Sequence, residues 1–176
     1  ITEIKKAYTE NPQLSPDYCR IINKKNWLRL TALLEHQNLI YGGDKDEDDC
    51  YLAPTLVNQP HLNSTLMKEE IFGPILPILT YDTFEDLKKI ILPLPKPLAL
   101  YVFTENPNLR ERCIHQFSYG GGCINDSIIH FGNHRLPFGG VGNSGIGAYR
   151  GKKSFLTFSH QKAIVKRKNW LDIPFR

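Results

Sequence analysis

Glu70 and Phe72 are the residues of this chain whose types and spacing most directly invite a ligand. A carboxylate presents two acceptor oxygens and can hold both hydroxyls of a ribose. A phenyl ring two residues away can pack against the edge of the same molecule. Pro74 rigidifies the turn after them. Taken by themselves, the same residues read rather as a capped turn with a core phenylalanine.

A second pattern, Gly140-Val141-Gly142-Asn143-Ser144-Gly145, spells Gly-x-Gly-x-x-Gly. A dinucleotide fingerprint of that form follows a strand, opens a helix and has an acidic residue about 20 positions further on. Here Pro137 argues against a preceding central strand, and residues 151–171 contain neither Asp nor Glu. The glycines are expected instead to serve turns of positive φ and close backbone approach.

Cys19, Cys50, Cys113 and Cys123 form no Cys-x-x-Cys pair and have no histidines at ligand spacing, so no metal site is assigned. Cys123 lies nearest the glycine-rich segment, but no histidine or glutamate is implied beside it to activate the thiol. His115, His130, His134 and His160 offer no partner set that reads as a triad. The acidic run at 44–49 lacks the loop glycine and distal glutamate of a calcium-binding loop and reads as a solvated turn.

These residues need elements to position them. Trp27, Leu30 and Leu34 share one apolar face of a helix predicted over 24–37. Residues 39–41 and 76–81 read as strands. Asp82 with Glu85 forms a capping-box pattern for a helix over 84–91, which Pro93, Pro95 and Pro97 stop. The unalternating apolar run at 98–103 reads as a strand covered on both faces. A helix over 108–117, a strand at 123–124, a short helix over 151–158 and a final strand over 161–167 complete the reading. This alternation predicts an α/β fold with an open, mostly parallel sheet and flanking helices.

Composition narrows the class. At 176 residues, 41% hydrophobic and 23% charged, the chain is sized and composed as one globular domain. No apolar run approaches the ~18 residues of a membrane span. The net charge of +4 is mild. Lys162, Lys166, Arg167 and Lys168 cluster without an interleaved aromatic stripe, so a solvated edge is expected there rather than nucleic-acid binding. The thinly spread cysteines are expected to be reduced thiols in a cytoplasmic protein. The chain opens on Ile1 with neither an initiator Met nor a signal-peptide core, and is expected to be a piece of a longer protein.

The block Glu69-Glu70-Ile71-Phe72-Gly73-Pro74, the segment 96–103 and the long block at 136–160 together resemble the C-terminal part of the NAD(P)-dependent aldehyde dehydrogenases. The likeness is to the class 3 branch, which handles medium and long aliphatic and aromatic aldehydes, and it runs through nearly all of the chain. The resemblance implies that residues 1–158 are part of a catalytic domain and 159–176 an oligomerisation strand and tail. It implies oxidation of an aldehyde to a carboxylic acid with hydride transfer to NAD or NADP, through a cysteine thiolate and a glutamate-activated water. Both catalytic groups, and the dinucleotide-binding domain, lie upstream of the region matched. The chain alone is therefore expected to be inactive.

By the same resemblance Glu70 and Phe72 bind the nicotinamide ribose of the cofactor. Asn125 holds active-site loops by hydrogen bonding, and Ile128, Phe131 and Phe138 line the aldehyde channel. Ordinary loop packing remains open for these last three. A homodimer without nucleic acid or membrane span is expected, and a non-catalytic dimerisation or partner-binding domain is the alternative.

Overall fold

The computed structural model describes residues 1–168 and 170. The chain divides into two compact units, Ile1–Leu87 and Lys88–Arg176. No helix among the described residues is long and apolar enough to cross a membrane.

The first unit holds helices α1 (Thr2–Tyr8) and α2 (Lys24–Leu33), strands β1 (Leu39–Tyr41), β2 (Lys45–Asp46), β3 (Tyr51–Leu52) and β4 (Thr55–Asn58), the single turn α3 (Thr65–Lys68) and β5 (Ile75–Ile78). Helix α4 (Phe84–Ile91) runs across the boundary between the units. Asn23 caps α2 by accepting from the Asn26 amide at 2.9 Å. The predicted apolar face of α2 is the buried one. Trp27 and Leu30 are buried, and Leu34 packs against the core from the C-cap. The helix ends before 37 because turns closing on Thr31, Ala32 and Leu34 tighten it, and His36 then takes φ 59°.

Strand β4 lies between β1, to which it is antiparallel, and β5, to which it is parallel. Strands β2 and β3 pair antiparallel. The sheets are therefore mixed, which corrects the mostly parallel expectation. The antiparallel pairs come from strands that were not anticipated: β2 with β3, and β4, which follows Pro54 as four residues without alternation and pairs with β1. Its Val57 joins Leu30, Leu33, Leu52, Leu66 and Ile75 in the core. Thr55 is buried with its hydroxyl satisfied, accepting from the Gly43 amide at 3.0 Å and donating to the Ala53 carbonyl at 2.8 Å. The acidic turn is laced to cations: Arg20 pairs with Asp49 at 2.8 Å, and Lys24 with Asp48 at 3.2 Å.

The capping box of α4 sits one residue later than Asp82 and Glu85 would place it. The Thr83 hydroxyl accepts from the Asp86 amide, and the Asp86 carboxylate accepts from the Thr83 amide, both at 3.2 Å.

The second unit pairs β6 (Ala99–Val102) with β7 (Gly121–Ile124) in parallel, joined by α5 (Pro107–Gln116). Asn106 caps α5 at the amides of Asn108 and Leu109, with Pro107 in the first turn where its missing N–H costs nothing. Strand β6 is half-buried along its length rather than covered on both faces. The turn α6 (Ile129–Gly132) and helix α7 (Gly151–Thr157) complete the unit. Residues 161–168 are exposed and carry no strand, so the expected strand over 161–167 is not shown in the single chain. Asn169 and residues 171–176 of the expected oligomerisation tail lie outside the described residues.

Candidate functional site

Glu70 and Phe72 lie on the loop from α3 to β5, and three contacts determine its shape. Ile71 turns inward and packs against the core cluster. Gly73 lies so close to α2 that a Cβ there would meet the Leu30 side chain at 2.5 Å. The Arg29 guanidinium donates to the Ile71 carbonyl at 2.6 Å and reaches the Glu70 carbonyl at 3.5 Å.

With Ile71 inward, its neighbours on either side face out. Glu70 is exposed, and nothing among the described residues hydrogen-bonds its carboxylate. Phe72 is 78% exposed at φ 45°, so it is not the core phenylalanine of the simpler reading. An uncommitted carboxylate and a presented ring, both on a held backbone, are a chemical fit for a ribose and the flat group it carries. They border a concavity of about 640 Å³ that Ile21, Ile22 and Asn26 also line. Arg29 was not among the sequence candidates. Its only signal there was a basic residue beside the apolar face of a predicted helix.

In the second unit Asn125 follows β7 with φ 55°. Its amide side chain donates to the Thr104 carbonyl at 3.1 Å and accepts from the Thr104 amide at 2.7 Å, joining the ends of β6 and β7. Ile128 also has positive φ, 64°, and is 64% exposed where it caps α6. Phe131 and Phe138 come together edge to face with centroids 5.1 Å apart.

Cys123 and His130 are a pair that sequence reasoning missed. The sulfur lies 3.5 Å from His130 Nδ1, which corrects the expectation of no histidine beside this thiol. The ring's Nε2 is buried without a partner. The two residues are seven positions apart across the left-handed turn at Ile128, a meeting that no local spacing signals.

The glycine-rich segment is a closed loop. Phe138 and Tyr149 exchange backbone hydrogen bonds at 2.9 and 3.0 Å at its mouth. Within it, a Cβ on Gly140 would meet the Ser144 carbonyl oxygen at 2.1 Å, so this position admits only glycine. A short 3₁₀ turn over Gly142–Ser144 stands where a dinucleotide fingerprint would open an α-helix.

The Aldehyde dehydrogenase family model matches residues 11–164. The chain is 50% identical over 162 residues to aldehyde dehydrogenase family 3 member A2 of Rattus norvegicus, covering 92% of this chain and 34% of that protein. It is 43% identical over 164 residues to the Bos taurus protein named aldehyde dehydrogenase, dimeric NADP-preferring, covering 93% of this chain and 69% of that one. Among solved structures it is similar to the substrate-bound state of Staphylococcus aureus AldH, with 47% identity and a TM-score of 0.85 over 98% of this chain and 38% of that one. The chain thus spans about a third of the length of the rat relative.

Proposed function

Because the chain belongs to the aldehyde dehydrogenase family, in its class 3 branch, we propose that it is the C-terminal part of a catalytic domain that oxidises an aldehyde to a carboxylic acid. NAD or NADP, when bound, supplies the hydride acceptor. The chain contributes the ribose clamp and part of the aldehyde channel. The nucleophilic cysteine and general-base glutamate that the family uses lie upstream of the matched region, so the chain alone is inactive.

The observation that carries this reading is the outward pair Glu70 and Phe72 on a backbone gripped by Arg29 and Leu30. The Glu70 carboxylate accepts from the two ribose hydroxyls, and Phe72 limits lateral movement of the ring beyond them. Both restrict the cofactor to poses from which hydride transfer is possible, an orientation effect. Asn125 keeps the β6 and β7 ends together beneath the substrate loop. Ile128, Phe131 and Phe138 give the aldehyde an apolar path and exclude water from it. The protein acts in the cytoplasm as a homodimer. Exposed Ile164 and Val165 support a dimer contact in 159–176, as does the bovine relative's name.

Glu70→Gln in the full-length protein tests the assignment. The amide is a poorer acceptor, so single-turnover hydride transfer slows by about tenfold while the fold is intact. Single-turnover kinetics equal to those of the unmodified protein would show that Glu70 does not position the cofactor.

A further inference from the structure

Arg150 is held in a backbone conformation that a non-glycine residue rarely adopts, φ 78°. Its amide donates to the Ser154 hydroxyl at 2.6 Å. Its guanidinium carbon stands 4.3 Å from the Phe131 ring centroid, 5.2 Å from that of Phe138 and 5.4 Å from that of Tyr149. The same guanidinium donates to the Phe131 carbonyl. One cation thus meets three rings and one backbone oxygen, and it does so at the closure of the glycine-rich loop, where Phe138 pairs with Tyr149.

The need for such a tie is physical. Phe131 sits on a four-residue turn that begins from a left-handed isoleucine. A helix so short cannot hold itself, because its nucleation cost is not repaid by propagation. Phe131 and Phe138 come from segments on either side of Pro137, and their edge-to-face contact needs both to stay in place. A planar guanidinium can stack on rings and donate in its own plane at once. A lysine ammonium provides the charge without the fork.

We propose that Arg150 is a specificity-determining positioning residue. It locks Phe131 and Phe138 in one arrangement and so sets the width of the path that an apolar aldehyde takes. This rests on the reading of those two rings as channel lining. The ligand class it favours is a long or bulky aldehyde, whose chain lies along the fixed rings. A three-carbon aldehyde is too short to use them.

The test is made on the full-length protein with Arg150→Met, Arg150→Lys and Phe131→Ala, using a ten-carbon and a three-carbon straight-chain aldehyde. The readout is the ratio of kcat/KM for the long substrate to that for the short one. With the rings released, Arg150→Met lowers this ratio by about tenfold, the scale expected for losing shaped apolar contact. Phe131→Ala lowers it similarly. Arg150→Lys falls between Arg150→Met and the unmodified protein, and carries the test if the methionine variant does not fold. An equal loss of kcat/KM for both aldehydes would make Arg150 a stabilising residue only and overturn the proposal. A ratio lowered by Phe131→Ala but not by the Arg150 variants would overturn it while leaving the channel reading intact. A ratio that no variant moves would overturn both.

Discussion

Arg29, on helix α2, donates its guanidinium to the carbonyl of Ile71 at 2.6 Å, and so ties the loop carrying Glu70 and Phe72 to the core helix. Replacing it with methionine keeps the stem but leaves a part-buried carbonyl without its donor, at a cost of about 1–3 kcal/mol. Arg29→Met should therefore lower the midpoint of chemical denaturation, and in the full-length protein it should weaken cofactor binding as well. Cofactor affinity unchanged in a fluorescence titration would mean that the tie does not serve the clamp.

Gly73 offers a test of the same loop from its other side. A methyl group there would sit 2.5 Å from Leu30, a core side chain with no exposed surface. Gly73→Ala should destabilise by about 1–3 kcal/mol, as overpacking of a filled core does. Urea unfolding would measure it, and a neutral substitution would show that Leu30 can move.

Tyr18 supplies a pH dependence. Burial, and after it the neighbouring Tyr51 and Tyr8, push its phenol well above the ordinary value. The folded state therefore disfavours the ionised form, which the unfolded chain accepts once pH passes about 10. The associated stability is fully present below pH 10 and declines as pH rises beyond it. Tyr18 also donates to the Leu52 carbonyl at 2.6 Å. Tyr18→Phe should cost about 1 kcal/mol at neutral pH and make alkaline unfolding less steep. Alkaline unfolding curves that coincide for the two proteins would remove Tyr18 from that transition.

The proposed dimer is tested by light scattering. Val165 is 93% exposed and Ile164 67% exposed on a segment without a strand partner. Pairing with a second chain would satisfy that backbone and cover both side chains. Twice the chain mass is expected at high concentration, and Val165→Asp should return the protein to monomer. A clean monomer before any substitution would refute the dimer.

Local signals were readable where the physics is local. Trp27 and Leu30 share a face because three residues make nearly one helical turn, and both are buried. The start of α4 was readable to within one residue. Asp82 with Glu85 and Thr83 with Asp86 have the same spacing, and only backbone geometry chooses between them. Strand β4 was not readable, because its central position depends on β1 and β5 arriving at its two edges from distant sequence.

Residue types by themselves determined the family, through the blocks at 69–74 and 136–160, and determined that Glu70 could accept and Phe72 could pack. The amino-acid order also excluded a dinucleotide fingerprint at Gly140, since Pro137 and the missing acid are facts of sequence. Tertiary structure alone decided that Phe72 faces out while Ile71 faces in, that Arg29 grips their loop, that His130 stands against Cys123 and that Arg150 lies among three rings. The reason is the same in each case. A side chain's chemistry travels with its type, but its partner is set by backbone turns such as those at Phe72, Ile128 and Arg150, whose positive φ only surrounding contacts can stabilise.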